Sequence, residues 1–246
     1  MAVAERDWRR GFTLIELLVV VAVIGILASM LMPAVLHSMK AATSASCKNC
    51  LRQLSAGIMC YVKEFDLLPA AGDGYWRRWY NHIEERYLHD PEIFRCPGRK
   101  NVPYGYGLNY RFHMGANYEG MTWPYPYLWY NALPIDVVRK PSSCLLTCDT
   151  GYVMPETMDL PVTKWKERSN VVSRGFVRFP QCAAPLGVTD GDKTYPYWTS
   201  DPWRPVPRHP QFMANVLFFD GHVDGMQVAD LIDDNFGDKG CYYDNE

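Results

Sequence analysis

From Phe12 to Leu36 the chain reads FTLIELLVVVAVIGILASMLMPAVL, with Glu16 as its single charge. The 20 residues from Leu17 to Leu36 carry no formal charge. As a helix they extend about 30 Å, enough to span a bilayer. Arg6, Arg9 and Arg10 precede the run, so the positive-inside bias keeps the N-terminus cytoplasmic and sends the rest outward. A secretory signal peptide has an apolar core of about 7–15 residues and a small-residue cleavage site. Here the apolar character continues past Ala28-Ser29-Met30, a poor site of that kind. The reading is a single-pass membrane helix. A carboxylate inside it costs about 2–3 kcal/mol without a partner. Glu16 either snorkels to the interface, favoured by the helix N-terminal dipole, or pairs with a cation in the membrane. Pro33 removes a backbone hydrogen bond and is expected to kink the helix.

The other residues are of a different kind. A chain of 246 residues is one globular domain plus an appendage, or two small domains. At 48% apolar and 21% charged it is not disordered as a whole. A net charge of -2 excludes a general nucleic-acid binder, which carries a basic excess. The 18 Gly and 18 Pro indicate a loop-rich body rather than a helical bundle.

After Leu36 the pattern turns amphipathic. Cys47, Leu51, Leu54, Ile58, Tyr61 and Phe65 recur at intervals of three and four, predicting a buried stripe on a helix. The predicted helix runs from Phe12 to about Glu64, and Asp66 and Pro69 mark its end. Beyond it, Ser143–Cys148 reads as a strand after Lys140-Pro141, and Asn170–Phe179 as another with a bend at Gly175. Ala214–Phe219, Asp220-Gly221 and His222-Val223-Asp224 predict a hairpin with a type I′ turn. Val228–Asp233 reads as a short helix. The fold class is therefore α+β: a long N-terminal transmembrane helix packed on a small antiparallel sheet head with long loops. Residues 12–36 form the membrane helix, 37–65 its extramembrane half and 66–246 the head.

Eight cysteines in a head outside the cytoplasmic membrane permit disulfides, but sequence does not fix their pairing. Cys144 and Cys148, on one regular strand, would lie about 13 Å apart, too far to bridge. Helical placement and an oxidising compartment argue against a zinc site built on Cys47-x-x-Cys50. No phosphate loop, HExxH or GxSxG occurs, so no catalytic residue is assigned and the chain is read as non-enzymatic. The aromatic run Trp123–Tyr130 either covers a small core or stacks on sugars or a partner protein, with Trp123 and Trp129 as the binding candidates.

Arg9-Arg10-Gly11-Phe12-Thr13-Leu14-Ile15-Glu16 resembles the processing site of type IV pilins and type II secretion pseudopilins. The resemblance implies a pilin-like structural subunit with residues 1–11 as its leader. A membrane prepilin peptidase would cut between Gly11 and Phe12 and N-methylate Phe12. The leader holds three arginines and two acids, so its loss leaves the chain one unit more negative. Phe12, Glu16 and Pro33 become assembly residues, Glu16 of one subunit neutralising the Phe12 amine of its neighbour. Each charge alone is costly in hydrocarbon, and the pair relieves both. The implied partners are the peptidase, other pilin-like subunits and a secretion or pilus assembly platform. The implied location is the inner membrane with a periplasmic head, and a filament after processing.

The segment SCKNCLRQLSAG, beginning at Ser46, is similar to pilin-like proteins with a C-terminal H-x9-DG motif. So are Phe94–Pro97, Tyr104–Asn109, Leu145–Asp149 and the block holding Arg208, His209, Ala214, Asn215, Leu217, Phe218, Asp220, Gly221 and His222. Ten residues, not nine, separate His209 from Asp220, an extra residue read as lying within Pro210–Met213. Some major pseudopilins hold calcium in a C-terminal loop. That resemblance makes Asp149, His209 and Asp220 candidates for a structural cation. Without one, Asp220 serves the turn, His209 bonds to it or to backbone, and His222 faces solvent. A second reading keeps the anchor and makes the aromatic-rich head a module that binds glycans or secreted cargo.

Overall fold

The structure, a computed structural model, describes residues 13–69, 78–99, 104–109, 135, 138, 140–168, 176–177, 189–190, 193–194 and 202–232. Gly11, Phe12, Trp123 and Trp129 lie outside the described residues, as does most of the strand expected at Asn170–Phe179. The chain divides into two compact units, Met1–Lys40 and Ala41–Glu246, and its fold is α+β.

Helix α1 runs Leu14–Phe65 and contains Pro33. In the first unit it buries nothing: the large apolar side chains from Leu14 to Met39 are all exposed. This is one helix long and apolar enough to cross a membrane, and exposed apolar surface on that scale requires lipid or other protein.

In the second unit α1 buries Cys47, Leu51, Leu54, Ser55, Gly57, Ile58 and Val62. The expected stripe drifts by one residue at its end. Val62 is buried, Tyr61 half-buried and Phe65 exposed. Tyr61 packs at the rim against Phe65 in a tilted pair, 4.6 Å between centroids, and meets Tyr87 edge-on at 6.4 Å. The helix stops where Asp66 turns left-handed (φ 56), its N–H donating to Val62 O at 2.8 Å, a role open to Asp because its short side chain tolerates that conformation.

The head is built on a sheet ordered β3-β1-β2-β7-β8, with β6 also paired to β2. Strands β1 (Tyr106–Asn109), β2 (Leu145–Tyr152), β3 (Phe176–Val177), β6 (Trp203–Pro205), β7 (Met213–Phe218) and β8 (Val223–Gln227) make it up, and β4 (Thr189–Asp190) pairs with β5 (Lys193–Thr194) separately. All pairs in the larger sheet are antiparallel except β1 with β3. Helices α2 (Trp79–Ile83) and α3 (Val228–Leu231) and a 3-10 turn at Pro91–Phe94 complete the frame. One apolar cluster joins α1 to the sheet through Leu51, Leu54, Trp79, Phe94, Leu146 and Leu217. A second gathers Leu145, Cys148, Val216, Phe218 and Leu231.

Three expectations need correction. Strand β2 starts at Leu145 rather than Ser143, because the Ser143 and Cys144 N–H groups both turn back to Lys140 O, at 3.0 and 2.9 Å. Its register against β7 shifts between Leu145 and Thr147, and such a bulge re-aims the side chains beyond it. Cys144 and Cys148, which would share a face of a regular strand, therefore sit in different clusters.

The hairpin turn is not type I′, which needs positive φ at both central residues. Among Phe219, Asp220 and Gly221 only Gly221 is left-handed (φ 90). Gly221 N–H donates to Phe218 O at 3.0 Å, and Phe218 N–H to His222 O at 3.0 Å, which makes a three-residue loop closed by a glycine bulge. Asp220 holds it, Oδ1 accepting from His222 N–H at 3.0 Å. The terminal helix ends at Leu231, two residues short of its expected end.

Candidate functional site

The first candidate is the acid at the start of α1. Thr13 N–H donates to Glu16 Oε2 at 2.8 Å, the Thr13 hydroxyl donates to the same oxygen at 2.7 Å, and Glu16 N–H reaches back to Thr13 Oγ1 at 3.3 Å. This is a reciprocal capping box, which satisfies helix N–H groups that have no intrahelical acceptor. Thr13-x-x-Glu16 is its sequence sign, readable without a structure. The two bonds that the Glu16 carboxylate accepts both use Oε2.

The second candidate lies buried in the head. Helix α1 supplies Cys47, and the turn after Pro91–Phe94 supplies Cys96. Strand β2 supplies Asp149, and the segment entering β7 supplies His209. Cys47, Cys96 and Asp149 have no exposure and His209 has 6%. One ligand atom from each, four in all, lie within 4.8 Å of one another. The sulfurs are 3.8 Å apart, Cys96 Sγ is 3.7 Å from His209 Nε2, and that nitrogen is 3.0 Å from Asp149 Oδ2. Cys47 Sγ is 3.6 Å from Asp149 Oδ1.

Local structure explains how four distant residues meet. The bulge in β2 carries Asp149 to the side of Leu146, toward α1. Opposite, Asn215 N–H donates to Asp149 Oδ2 at 2.8 Å, while the Asn215 amide donates to Ser44 O of α1 at 3.3 Å. His209 is closed onto β7 by its N–H to Met213 O at 3.1 Å. The intervening turn holds Gln211 and Phe212 in left-handed conformation (φ 61 and 59), a cost of roughly 1–2 kcal/mol for each such residue. The Tyr106 hydroxyl lies 3.2 Å from Cys47 Sγ.

Arg208, with its side chain 4% exposed, sets the field. It donates to Gly105 O at 2.8 Å, to Thr150 O at 2.7 Å and to Glu167 Oε1 at 2.5 Å, and stands 3.8 Å from Asp149 Oδ1. Arg99 closes the row by pairing with Glu167. Burial alone would raise the Asp149 carboxyl, but His209, Arg208 and the Asn215 N–H outweigh it and hold it below the usual carboxylate range. Burial would lower His209, yet the bonds to Asp149 and Cys96 push it up to about 9. The thiols split. Hydrogen bonding to Cys96, burial and the Asp149 charge raise Cys47. The bond from Cys47 outweighs burial to bring Cys96 down to about 7.

A nucleophilic triad would place Cys and Asp on different imidazole nitrogens. Here both face Nε2, and Nδ1 has no partner among the described residues. Donors that converge on one point, enclosed on all sides, suit holding a cation rather than relaying a proton to a substrate. Of the sequence candidates, the structure brings together Asp149 and His209. Asp220 is not in the cluster. It sits on the hairpin turn with Oδ1 2.5 Å from His222 Nδ1, and the half-exposed His222 ring stacks on Phe218 at 4.1 Å. The expected bond from His209 to Asp220 or to backbone is made to Asp149 instead. Cys47 and Cys96 were not foreseen as partners of this group, and Cys50 remains half-buried outside it.

The family model of the prokaryotic N-terminal methylation motif matches residues 9–32, which supports a prepilin-type chain anchored in a membrane by α1. No curated protein and no solved structure matches the chain.

Proposed function

We propose that this chain is a structural subunit of a pilin-like filament, either a type II secretion pseudopilus or a type IV pilus-like fibre. It is inserted in the inner membrane with the N-terminus cytoplasmic and the head periplasmic. Prepilin peptidase cuts it between Gly11 and Phe12 and methylates Phe12. The apolar part of α1 then joins the filament core, Glu16 of one subunit meets the Phe12 ammonium of another, and the heads form the surface. The work comes from the assembly platform, and the chain itself carries no catalytic step.

The observation that carries this reading is the methylation motif over residues 9–32, laid on a helix whose apolar side chains from Leu14 to Met39 are all exposed. A helix with that surface has two stable places, in lipid or among other such helices. The capping box supports the role of Glu16. It fixes the carboxylate on Thr13 N–H and hydroxyl, so a neighbour's ammonium meets a pre-oriented anion.

The test is mass spectrometry of the membrane-extracted protein. An N-methylated Phe12 terminus is expected, and a retained leader overturns the proposal. Glu16→Ala should insert normally and fail to polymerise, read as loss of sheared or cross-linked multimers. Normal polymer from that variant would remove the charge-pairing role.

A further inference from the structure

We propose that Cys47, Cys96, Asp149 and His209 form a closed, four-coordinate structural zinc site that fastens α1 to the head. This inference does not depend on the filament reading.

The geometry points to it. Zinc bonds thiolate sulfur at about 2.3 Å and imidazole nitrogen or carboxylate oxygen at about 2.0–2.2 Å, tetrahedrally. Those lengths place donor atoms about 3.8 Å apart for two sulfurs, about 3.6 Å for sulfur and nitrogen or oxygen, and about 3.4 Å for nitrogen and oxygen. The observed separations are 3.8 Å for the sulfurs and 3.7 Å for Cys96 Sγ with His209 Nε2, and with Oδ2 as the one Asp149 donor they are 3.8 Å to Cys47 Sγ and 3.0 Å to His209 Nε2. Four donors from four separate chain segments thus lie within 4.8 Å of one another, and four of their six separations fall within about 0.4 Å of those of a zinc tetrahedron. A disulfide would use the two sulfurs and give the imidazole and carboxylate no reason to face the same point.

The donor set also selects the metal. Two thiolates and an imidazole suit zinc, whereas calcium takes six to eight oxygens. Full burial leaves no open position, the mark of a structural rather than a catalytic site. On binding, Cys47 and Cys96 coordinate as thiolates and His209 through neutral Nε2, and every proton that these sulfurs and that nitrogen carry beforehand passes to solvent. Zinc with two thiolates and the Asp149 carboxylate carries one net negative charge, and Arg208 lies 3.8 Å from that carboxylate to offset it. The outer shell is built as well. Tyr106 OH reaches Cys47 Sγ at 3.2 Å, and Asn215 N–H fixes Asp149 Oδ2 at 2.8 Å. Such outer contacts are worth about 10–100-fold in metal affinity.

The test uses the full chain in detergent, purified without chelator, with metal measured by plasma mass spectrometry. About one zinc per chain is expected, retained by Cys60→Ser, a change at an exposed cysteine, and lost in Cys96→Ser and His209→Gln. Those variants could lose metal through misfolding, so two further measurements stand beside them. In the unaltered protein, alkylation of Cys47 and Cys96 should begin only after chelator is added. Tyr106→Phe keeps the ring and removes the hydroxyl, and should weaken zinc about 10-fold in competition with a chromophoric chelator. Absence of zinc in the purified protein together with no uptake of added zinc overturns the proposal. So does a Cys47–Cys96 disulfide in non-reducing peptide maps, or full zinc content in Cys96→Ser.

Discussion

Replacing Arg208 by Met should cost the head about 3–5 kcal/mol, the range for removing one partner of a buried ion pair. The guanidinium satisfies the carbonyls of Gly105 and Thr150 at 2.8 and 2.7 Å and the Glu167 carboxylate at 2.5 Å. Each carbonyl left dry adds a penalty of about 1 kcal/mol or more. Two facts restrain the total. Glu167 keeps Arg99 as a partner, and its side chain retains 18% exposure, so water reaches part of the orphaned charge. The internal control is Lys48→Met. Its partner Asp224, 3.4 Å away, is 69% exposed, and such pairs are worth about 0–1 kcal/mol. The assay is urea unfolding of the full chain in detergent, with chelator present so that metal plays no part. The readout is fluorescence from the buried Trp79 and Trp203. A double variant with Glu167→Gln should lose less than the sum of its parts, because the two side chains share one network. If Arg208→Met comes within 1 kcal/mol of Lys48→Met, the row Arg99–Glu167–Arg208 is not holding the head together and the argument is wrong.

Two glycines give sharper packing tests by the same unfolding assay. At Gly57 an added Cβ would sit 2.9 Å from Ile83 Cγ2 and 2.9 Å from Leu88 Cγ. Ala gains about 1 kcal/mol of helix propensity there but overpacks by about 1–3 kcal/mol, so Gly57→Ala should lose about 1 kcal/mol, and a gain would show that the neighbours yield freely. At Gly221 the nearest atom to an added Cβ is Ser55 Oγ at 3.3 Å, so the cost lies in the backbone (φ 90). Gly221→Ala should lose about 1–2 kcal/mol and Gly221→Asn less, and equal losses would move the cause from backbone to packing.

The long helix and the C-terminal hairpin were legible because each rests on local rules: an apolar run of membrane length, a three-and-four spacing, and Asp-Gly between β-forming residues. The turn type was misread because Asp220 binds the His222 N–H with its side chain and need not turn left-handed. The capping box is written in Thr13-x-x-Glu16, a pattern that the same carboxylate's place in lipid overlaps. The quartet was half legible. Asp149 and His209 are candidates through the resemblance to pilin-like proteins. Cys47 reads as part of a buried stripe and of a Cys47-x-x-Cys50 pair disfavoured as a zinc site, and the sequence does not tie Cys96 to either. Bringing Asp149 and His209 to the two cysteines depends on a register shift in β2 and on a turn with two left-handed residues, neither of which has a strong sequence sign. One sign did exist. Each of the four residues falls in a different one of the blocks through which the chain resembles pilin-like proteins.

The position of Cys47 explains why a fastening belongs there. It is the first residue of α1 that the head buries, and every large apolar side chain before it is exposed. Load passed between α1 and the sheet therefore enters the head close to Cys47, beginning with the hydrogen bonds between Ser44 and Asn215 one turn earlier. The apolar hold on α1 comes from one of the two clusters, the one that contains Leu51, Leu54, Ile58 and Val62. The chain joins Cys47 to Cys96, Asp149 and His209 through long connections, and lengthening a loop costs only about 0.6 kcal/mol per doubling once its ends are tied. Tying the ends is the expensive step, and a point where four segments converge ties three connections at once. In a head built this way, large insertions between Cys96 and Asp149, or between Asp149 and His209, should leave the helix contact intact. Loss of a single ligand should release all three connections together.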